Sequence, residues 1–332
     1  MNKTAFVGID ISKKKLDVAI WRKSGELRQY PHIQISNDRD GFKEMKTFFK
    51  ENGLSLTQTV IGMESTGMYG LELRLFLEEE KVDYCVYMPL DLKKSMGLSR
   101  GKNDCVDDRR IAYYTWLHRD ELRYARLAGS TMRKLQELNA ERKRYVEVAA
   151  QFKTVRTENK DRKESVCLER NAAALKNMEQ LISEVEKEMQ DIIESDESLA
   201  ANYRLLLSIK GIGPVNAIST LIHTDNFRAF ENARQYACYI GVAPFEYSSD
   251  TSVRGRTRVS SCGAVNLKAE LTQAAKSVIV HDPEIKNYYN RKREEGKAFG
   301  CVLNAVKFKL ICRMFAVIKR GTPYVTLYKY AL

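Results

Sequence analysis

The stretch that decides the fold is Thr4-Ala5-Phe6-Val7-Gly8-Ile9-Asp10-Ile11-Ser12-Lys13-Lys14-Lys15, followed at once by a second apolar run from Leu16 to Trp21. Two β-prone runs joined by a few polar residues read as a hairpin, and they place the carboxylate of Asp10 at a strand end beside a tight turn. Further acidic residues stand at comparable points. Glu64 closes the run Thr59-Val60-Ile61-Gly62-Met63, and Asp104 and Asp107 lie three apart where a helix begins. Each alone has an ordinary explanation, since acidic residues are common in turns and Asp caps helices. As an ordered set they predict a metal site. Four carboxylates in one cleft repel each other unless a cation compensates them, and oxygen-only donors suit Mg²⁺ or Mn²⁺ rather than zinc. The chemistry such a pair of ions supplies is in-line displacement at a phosphodiester.

Outward from this stretch, strands are predicted at 6–10, 16–22, 33–36, 60–64 and 84–88, with helices at 42–51, 71–80 and 107–117. A three-strand meander followed by βα units is the ribonuclease-H-like (RuvC-like) order, so residues 1–125 read as an α/β catalytic domain. Actin-like ATPases and sugar kinases open in the same way, and topology alone does not separate them. The turn after Asp10, Ile11-Ser12-Lys13, lacks the glycine that a phosphate-binding hairpin normally supplies, which weakens the ATPase reading.

Between 126 and 198 the composition shifts to charged helix. Leu135, Leu138, Arg142, Tyr145, Ala149 and Phe152 recur at spacings of three and four, as do Leu175, Met178, Ile182, Val185, Met189 and Ile192. The pattern predicts two antiparallel helices forming a long coiled-coil arm of roughly 40 Å. Such an arm can dimerise, span a nucleic acid, separate two domains or pack only on itself.

Residues 199–332 read as a mainly α-helical domain. Leu205-Leu206-Leu207-Ser208-Ile209-Lys210-Gly211-Ile212-Gly213-Pro214, before an apolar helix at 215–222, has the form of a helix-hairpin-helix element. Gly211 and Gly213 permit a tight turn and leave backbone N–H groups, with Lys210, to meet a phosphate. The segment 240–258 reads as an irregular loop crowded with hydroxyls. Its Arg254, Arg256 and Arg258 suit phosphate contact, and one of its serines could serve as a nucleophile if a base or metal activates it. Amphipathic helices at 266–280 and 299–319 close the chain.

Composition agrees with a nucleic-acid enzyme. At 332 residues, 44% hydrophobic and 30% charged, the chain is long enough for two or three domains with proper cores. Lys plus Arg exceed Asp plus Glu by 55 to 43, a formal +12 that favours polyanionic partners. No apolar stretch approaches the roughly 20 residues of a membrane span, and the start leads into a strand rather than a signal peptide, so no membrane partner and a cytoplasmic location are expected. Seven scattered cysteines without a Cys-x-x-Cys pair, and four histidines, argue against zinc and disulfide frameworks.

Taken in order, Gly8-Ile9-Asp10-Ile11-Ser12-Lys13, Glu64-Ser65-Thr66-Gly67, Lys102-Asn103-Asp104-Cys105-Val106-Asp107, Ile209-Lys210-Gly211-Ile212-Gly213 and the segment from Pro244 to Gly255 resemble the DEDD transposases of the IS110 insertion-sequence family. These are the bridge-RNA-guided recombinases, and the resemblance covers nearly the whole chain. It implies a RuvC-like domain, a coiled-coil insertion and a C-terminal transposase domain with a catalytic serine. By the same likeness Asp10, Glu64, Asp104 and Asp107 would bind Mg²⁺ or Mn²⁺, and Ser249 would be the nucleophile. Donor and target DNA and a structured guide RNA would be the partners, in a homo-oligomer, dimer or tetramer, whose active sites are shared between subunits; when active the protein would be associated with the nucleoid.

The sequence departs from the pattern twice. Asp250 follows Ser249 where a small residue is usual, with Ser248 a competing hydroxyl, and Asp108 follows Asp107 where the family usually has alanine. Two readings from other classes stand beside this one. A RuvC-like junction nuclease would use the same carboxylates with water in place of Ser249, and a noncatalytic scaffold would explain the charge but not the acidic set.

Overall fold

The computed structural model describes residues 3–23, 29–95, 107–158, 166–245, 248–249, 253–254, 258–259 and 263–325. The chain divides into two compact units, residues 1–127 and 128–332.

The first unit is built on a five-stranded mixed sheet. Strands β1 (Ala5–Ile11), β2 (Lys15–Ile20) and β3 (His32–Ser36) form an antiparallel meander, and β4 (Thr59–Glu64) and β5 (Asp83–Tyr87) add in parallel on the other side of β1, giving the order β3-β2-β1-β4-β5. This order is compatible with the ribonuclease-H-like start read from the sequence. Period-2 alternation sorts the two faces. Val7, Ile9, Ile11, Leu16, Val18, Ile20, Ile61, Met63 and Tyr84 form one buried face, covered by Phe42, Met45 and Phe49 of α1 (Arg39–Glu51) and Leu73, Phe76 and Leu77 of α2 (Leu71–Glu79). The Asp38 side chain starts α1 by accepting from the backbone N–H groups of Asp40 and Gly41.

The opposite face carries Asp10 and Glu64, and α4 (Asp107–Leu117) lies across it; the short α3 (Pro89–Ser95) precedes it. Two glycines set how close α4 comes. Gly8 and Gly62 are level with one another in the parallel β1–β4 register. A Cβ on Gly8 would stand 2.0 Å from the Asp108 carbonyl oxygen and 2.2 Å from the Ala112 nitrogen; one on Gly62 would stand 2.0 Å from Thr115 Oγ1. The helix therefore crosses β1 and β4 obliquely, its first half over Gly8 and its later residues Ile111 and Thr115 over Gly62. Its far end packs at their start, where Trp116 stacks on Trp21.

The second unit is helical. Helices α5 (Ser130–Glu158) and α6 (Val166–Ser195) are antiparallel, since Lys134, Arg142 and Lys153 pair in turn with Glu188, Glu186 and Glu179 at 2.9, 2.6 and 3.0 Å. Their seam buries Leu135, Leu138, Ala149, Leu175, Val185, Met189 and Ile193. The base of this pair shares one core with α7 (Glu197–Leu207), α8 (Pro214–His223), α9 (Ala233–Ile240), α10 (Val265–His281), α11 (Pro283–Glu294) and α12 (Phe299–Arg320), through Leu206, Leu221, Ile240, Ala275, Ile285 and Leu310. No helix among the described residues is long and apolar enough to cross a membrane.

In the turn between α7 and α8, Gly211 has φ +88°, and a Cβ there would meet Val278 Cβ at 2.8 Å and the Ala274 carbonyl oxygen at 2.9 Å. Both dihedral and space require glycine. Ile209 and Ile212 anchor the turn in the core, and Pro214 opens α8.

Candidate active site

Asp10 is the penultimate residue of β1, directly opposite Asp17 on β2. Ile9 is level with Met63 in the parallel register, so Asp10 and Glu64 leave the sheet side by side at the carboxyl ends of adjacent strands. Asp107 is the first residue of α4, where the helix dipole favours a carboxylate, and its Oδ1 lies 3.3 Å from Arg110 Nη1. The three are within electrostatic reach. The Glu64 carboxyl is held above its ordinary value, first by burial and then by repulsion from Asp10 and Asp107.

Repulsion acts over a longer range than coordination does. Among the described residues no three acidic, histidine or cysteine side chains are drawn together tightly enough to grip an ion as they stand. Asp104, the remaining member of the predicted set, lies outside the described residues. The donor chemistry nevertheless fits a hard divalent cation: all-oxygen ligands, with Glu64 carrying a repulsion that a positive charge would relieve.

Asp108 takes a different direction from its neighbour. It is wholly buried, its Oδ2 is 3.4 Å from His32 Nε2, and Asp17 Oδ1 is 3.4 Å from the same nitrogen. Burial pushes the Asp108 carboxyl up, an effect that the nearby His32 partly offsets. Neither Asp17 nor His32 stands out in the sequence. Their signal is the alternation Leu16-Asp17-Val18 and His32-Ile33-Gln34-Ile35, which puts both on the face of Asp10.

Within the segment predicted as an irregular loop, the described residues include short paired strands. Gly241 ends α9 in the left-handed conformation, φ +75°, and Gly263 packs so closely on Ile240 and Gly241 that a Cβ would meet the Ile240 carbonyl oxygen at 2.5 Å. The chain thus leaves and returns at one point. Between these ends, β6 (Pro244–Phe245) pairs with β9 (Arg258–Val259), and β7 (Ser248–Ser249) pairs with β8 (Val253–Arg254), both antiparallel. Ser249 is opposite Val253 and Ser248 opposite Arg254. Val242 and Ala243 at its foot are buried in the core. Arg256 lies outside the described residues. In the other predicted contact element Lys210 is exposed, and the space around Gly213, where α8 begins, is open.

Residues 7–159 match the transposase domain DEDD_Tnp_IS110, and residues 203–290 match the transposase domain of the IS116/IS110/IS902 family. The chain is 22% identical to the pilin gene-inverting protein of Moraxella bovis over 98% of each chain, and equally similar to that of Moraxella lacunata. It is 31% identical over 120 residues to an insertion element IS110 protein of 43.6 kDa from Streptomyces coelicolor, covering 36% of this chain and 29% of the other. The fold and its acidic face thus belong to a DNA-recombining enzyme. More particularly, the chain carries, in order, matches to the two transposase domains of the IS110 family.

Proposed function

We propose that this transposase recombines DNA through a covalent serine intermediate, with Asp10, Glu64, Asp104 and Asp107 holding Mg²⁺ or Mn²⁺ and Ser249 supplying the nucleophile. The observation that carries the metal reading is the meeting of Asp10 and Glu64 at the carboxyl ends of β1 and β4, where the Glu64 carboxyl is raised first by burial and then by repulsion from Asp10 and Asp107. When bound, such ions supply charge neutralisation at the phosphate and at the oxygens entering and leaving it. The carboxylates orient them.

The Ser249 hydroxyl oxygen attacks phosphorus, forming a phosphoserine ester as the bond to one deoxyribose oxygen breaks; the hydroxyl proton departs to solvent and the released oxygen takes one up. One phosphodiester is exchanged for another, so rejoining needs no nucleotide cofactor. A full-length likeness to proteins named for gene inversion supports rejoining over simple hydrolysis, because inverted ends must be resealed.

In this reading the arm of α5 and α6 is a coiled-coil insertion, and the turn before α8, with Lys210, Gly211 and Gly213, is a helix-hairpin-helix element gripping backbone phosphates. Arg254, Arg256 and Arg258 do the same. Sequence choice falls to a structured guide RNA that pairs with donor and target DNA, as in other RNA-guided systems. The formal +12 supports binding of both polyanions. The active form is a dimer or tetramer in which the carboxylates of one subunit serve the serine of another.

The test is strand exchange between two duplexes in the presence of the copurifying RNA. Asp10→Ala or Glu64→Ala should abolish exchange while RNA and DNA binding persist, since losing a ligand damages the ion site and not the basic surfaces. Full activity in either variant would overturn the metal reading. Sequencing the copurified RNA tests the guide: one discrete species supports it, and random cellular RNA contradicts it.

A further inference from the structure

The buried carboxylate beside the proposed metal site calls for its own explanation. Asp108 has no exposed surface, and its oxygens have no side-chain hydrogen-bond partner among the described residues, with only the backbone N–H of Arg109 turned toward them. Burying a carboxylate costs several kcal/mol unless it is paired, and an apolar residue at the same place would usually give an equal or more stable fold. Stability is a poor reason for it. The nearest side chain across the sheet is His32, whose Nε2 is 3.4 Å from Asp108 Oδ2 and 3.4 Å from Asp17 Oδ1. On its other side Asp17 Oδ1 accepts from Gln34 Nε2 at 3.0 Å, and Gln34 Oε1 accepts from Lys15 Nζ at 2.8 Å.

This chain of groups links the β2–β3 ribbon to the first turn of α4. Asp17 is also the residue directly opposite Asp10, and Asp108 the residue directly after Asp107. The link therefore joins the immediate neighbours of two of the proposed ligands. Contact of α4 with Gly8 sets how near the helix comes to β1, but a glycine offers no side chain to fix the helix's rotation about its own axis. A rotation of the first turn would swing Asp107 away from Asp10 and Glu64.

We infer that His32, held between Asp17 and Asp108, is a positioning residue that locks the rotation of α4 and so aims Asp107 at the metal site. The inference rests on the reading of Asp10, Glu64 and Asp107 as ligands of a divalent ion. His32 touches neither the ion nor the DNA. It acts through the helix.

The experiment is Mn²⁺ binding to the full-length chain without nucleic acid, measured by the loss of the free-ion paramagnetic resonance signal, beside thermal unfolding of the same samples. His32→Ala should weaken Mn²⁺ binding by about tenfold or more, the usual effect of removing a group that orients a ligand. His32→Gln, which keeps a nitrogen donor at similar reach, should restore most of it. Glu64→Gln identifies the underlying failure: if it binds Mn²⁺ as the wild type does, the ligand reading and this inference fall together. If Glu64→Gln weakens binding and folded His32→Ala does not, the ligands stand and the positioning role is refuted. Should His32→Ala fail to fold, His32→Leu with Asp108→Leu fills the same space without polar groups. Weakened binding there supports the inference, and wild-type binding overturns it.

Discussion

Gly8→Ala is the sharpest perturbation of this site, because it adds one methyl group where only backbone can respond. The new Cβ would lie 2.0 Å from the Asp108 carbonyl oxygen and 2.2 Å from the Ala112 nitrogen. No rotamer change relieves a clash with two backbone atoms, so α4 must withdraw by on the order of 1 Å to reach ordinary contact. Overpacking of a well-filled interface costs about 1–3 kcal/mol, and with backbone on both sides the upper end applies. For a unit of this size that is a fall in unfolding midpoint of about 10 °C. Activity should suffer more than stability. Asp107 opens α4 and moves with it, and a misplacement of about 1 Å in a catalytic constellation lowers the rate by roughly 10²-fold. Gly300→Ala is the control: nothing lies within 4 Å of its added Cβ, and it sits in α12, where alanine is the better helix former. Thermal unfolding and strand exchange on both variants make the comparison. If Gly8→Ala matches Gly300→Ala in both, α4 does not rest on β1 as described and the placement of Asp107 fails with it.

Two further predictions concern charge. The folded protein holds the Glu64 carboxyl above its ordinary value, so the stability that group contributes is present below the ordinary carboxylate range and is lost as pH rises through the raised value. Metal-free Glu64→Gln should therefore unfold at a higher temperature than the wild type near pH 7, the gap closing as pH falls to about 4, while Mg²⁺ should stabilise the wild type more than the variant; a gap that widens on acidification would reverse the assigned sign. Replacing Arg254 and Arg256 together with Gln should weaken DNA binding alike on all sequences and reduce the slope of log affinity against log salt by about 2, and an effect confined to particular target sequences would mean base contacts instead.

Much of the first unit is legible in the sequence because alternate residues of the central strands fill the core against α1 and α2. Val7, Ile9 and Ile11 are buried against α1 and α2, and the residues between them are free to be Gly8 and Asp10. The same alternation hides part of the site. Asp17 and His32 look like ordinary polar positions of half-exposed strands, and only the passage of α4 over that face brings them, still partly exposed, beside the buried Asp108. The spacing of Asp107 is legible, but whether it or Asp108 faces Glu64 depends on how α4 is turned over the sheet, with Asp108 buried beside His32.

In the second unit the apolar seam of α5 and α6 announces their pairing. It does not reveal that Leu135 and Met189 join the same core as Leu206 and Leu310, since nothing in a heptad-like pattern says where an arm is rooted. The serine segment resists sequence reading for another reason. Its ladders are two residues long, shorter than any alternation can mark, and its order comes from Gly241 and Gly263 pinning the two ends together.

The most direct test of the account is to trap the intermediate. A suicide duplex nicked near the cleavage position, incubated with the protein, its RNA and Mg²⁺, lets the leaving strand diffuse away before rejoining, and peptide mapping of the product locates the linkage. The account predicts a phosphodiester adduct on Ser249 that requires the divalent ion, disappears in Ser249→Ala, and is absent in Asp10→Ala because an unassisted hydroxyl is a poor nucleophile. An adduct that survives in Ser249→Ala and is lost in Ser248→Ala would move the nucleophile by one residue. Free phosphate ends without any adduct, cut at a comparable rate by Ser249→Ala, would contradict the account and make the enzyme a hydrolytic nuclease.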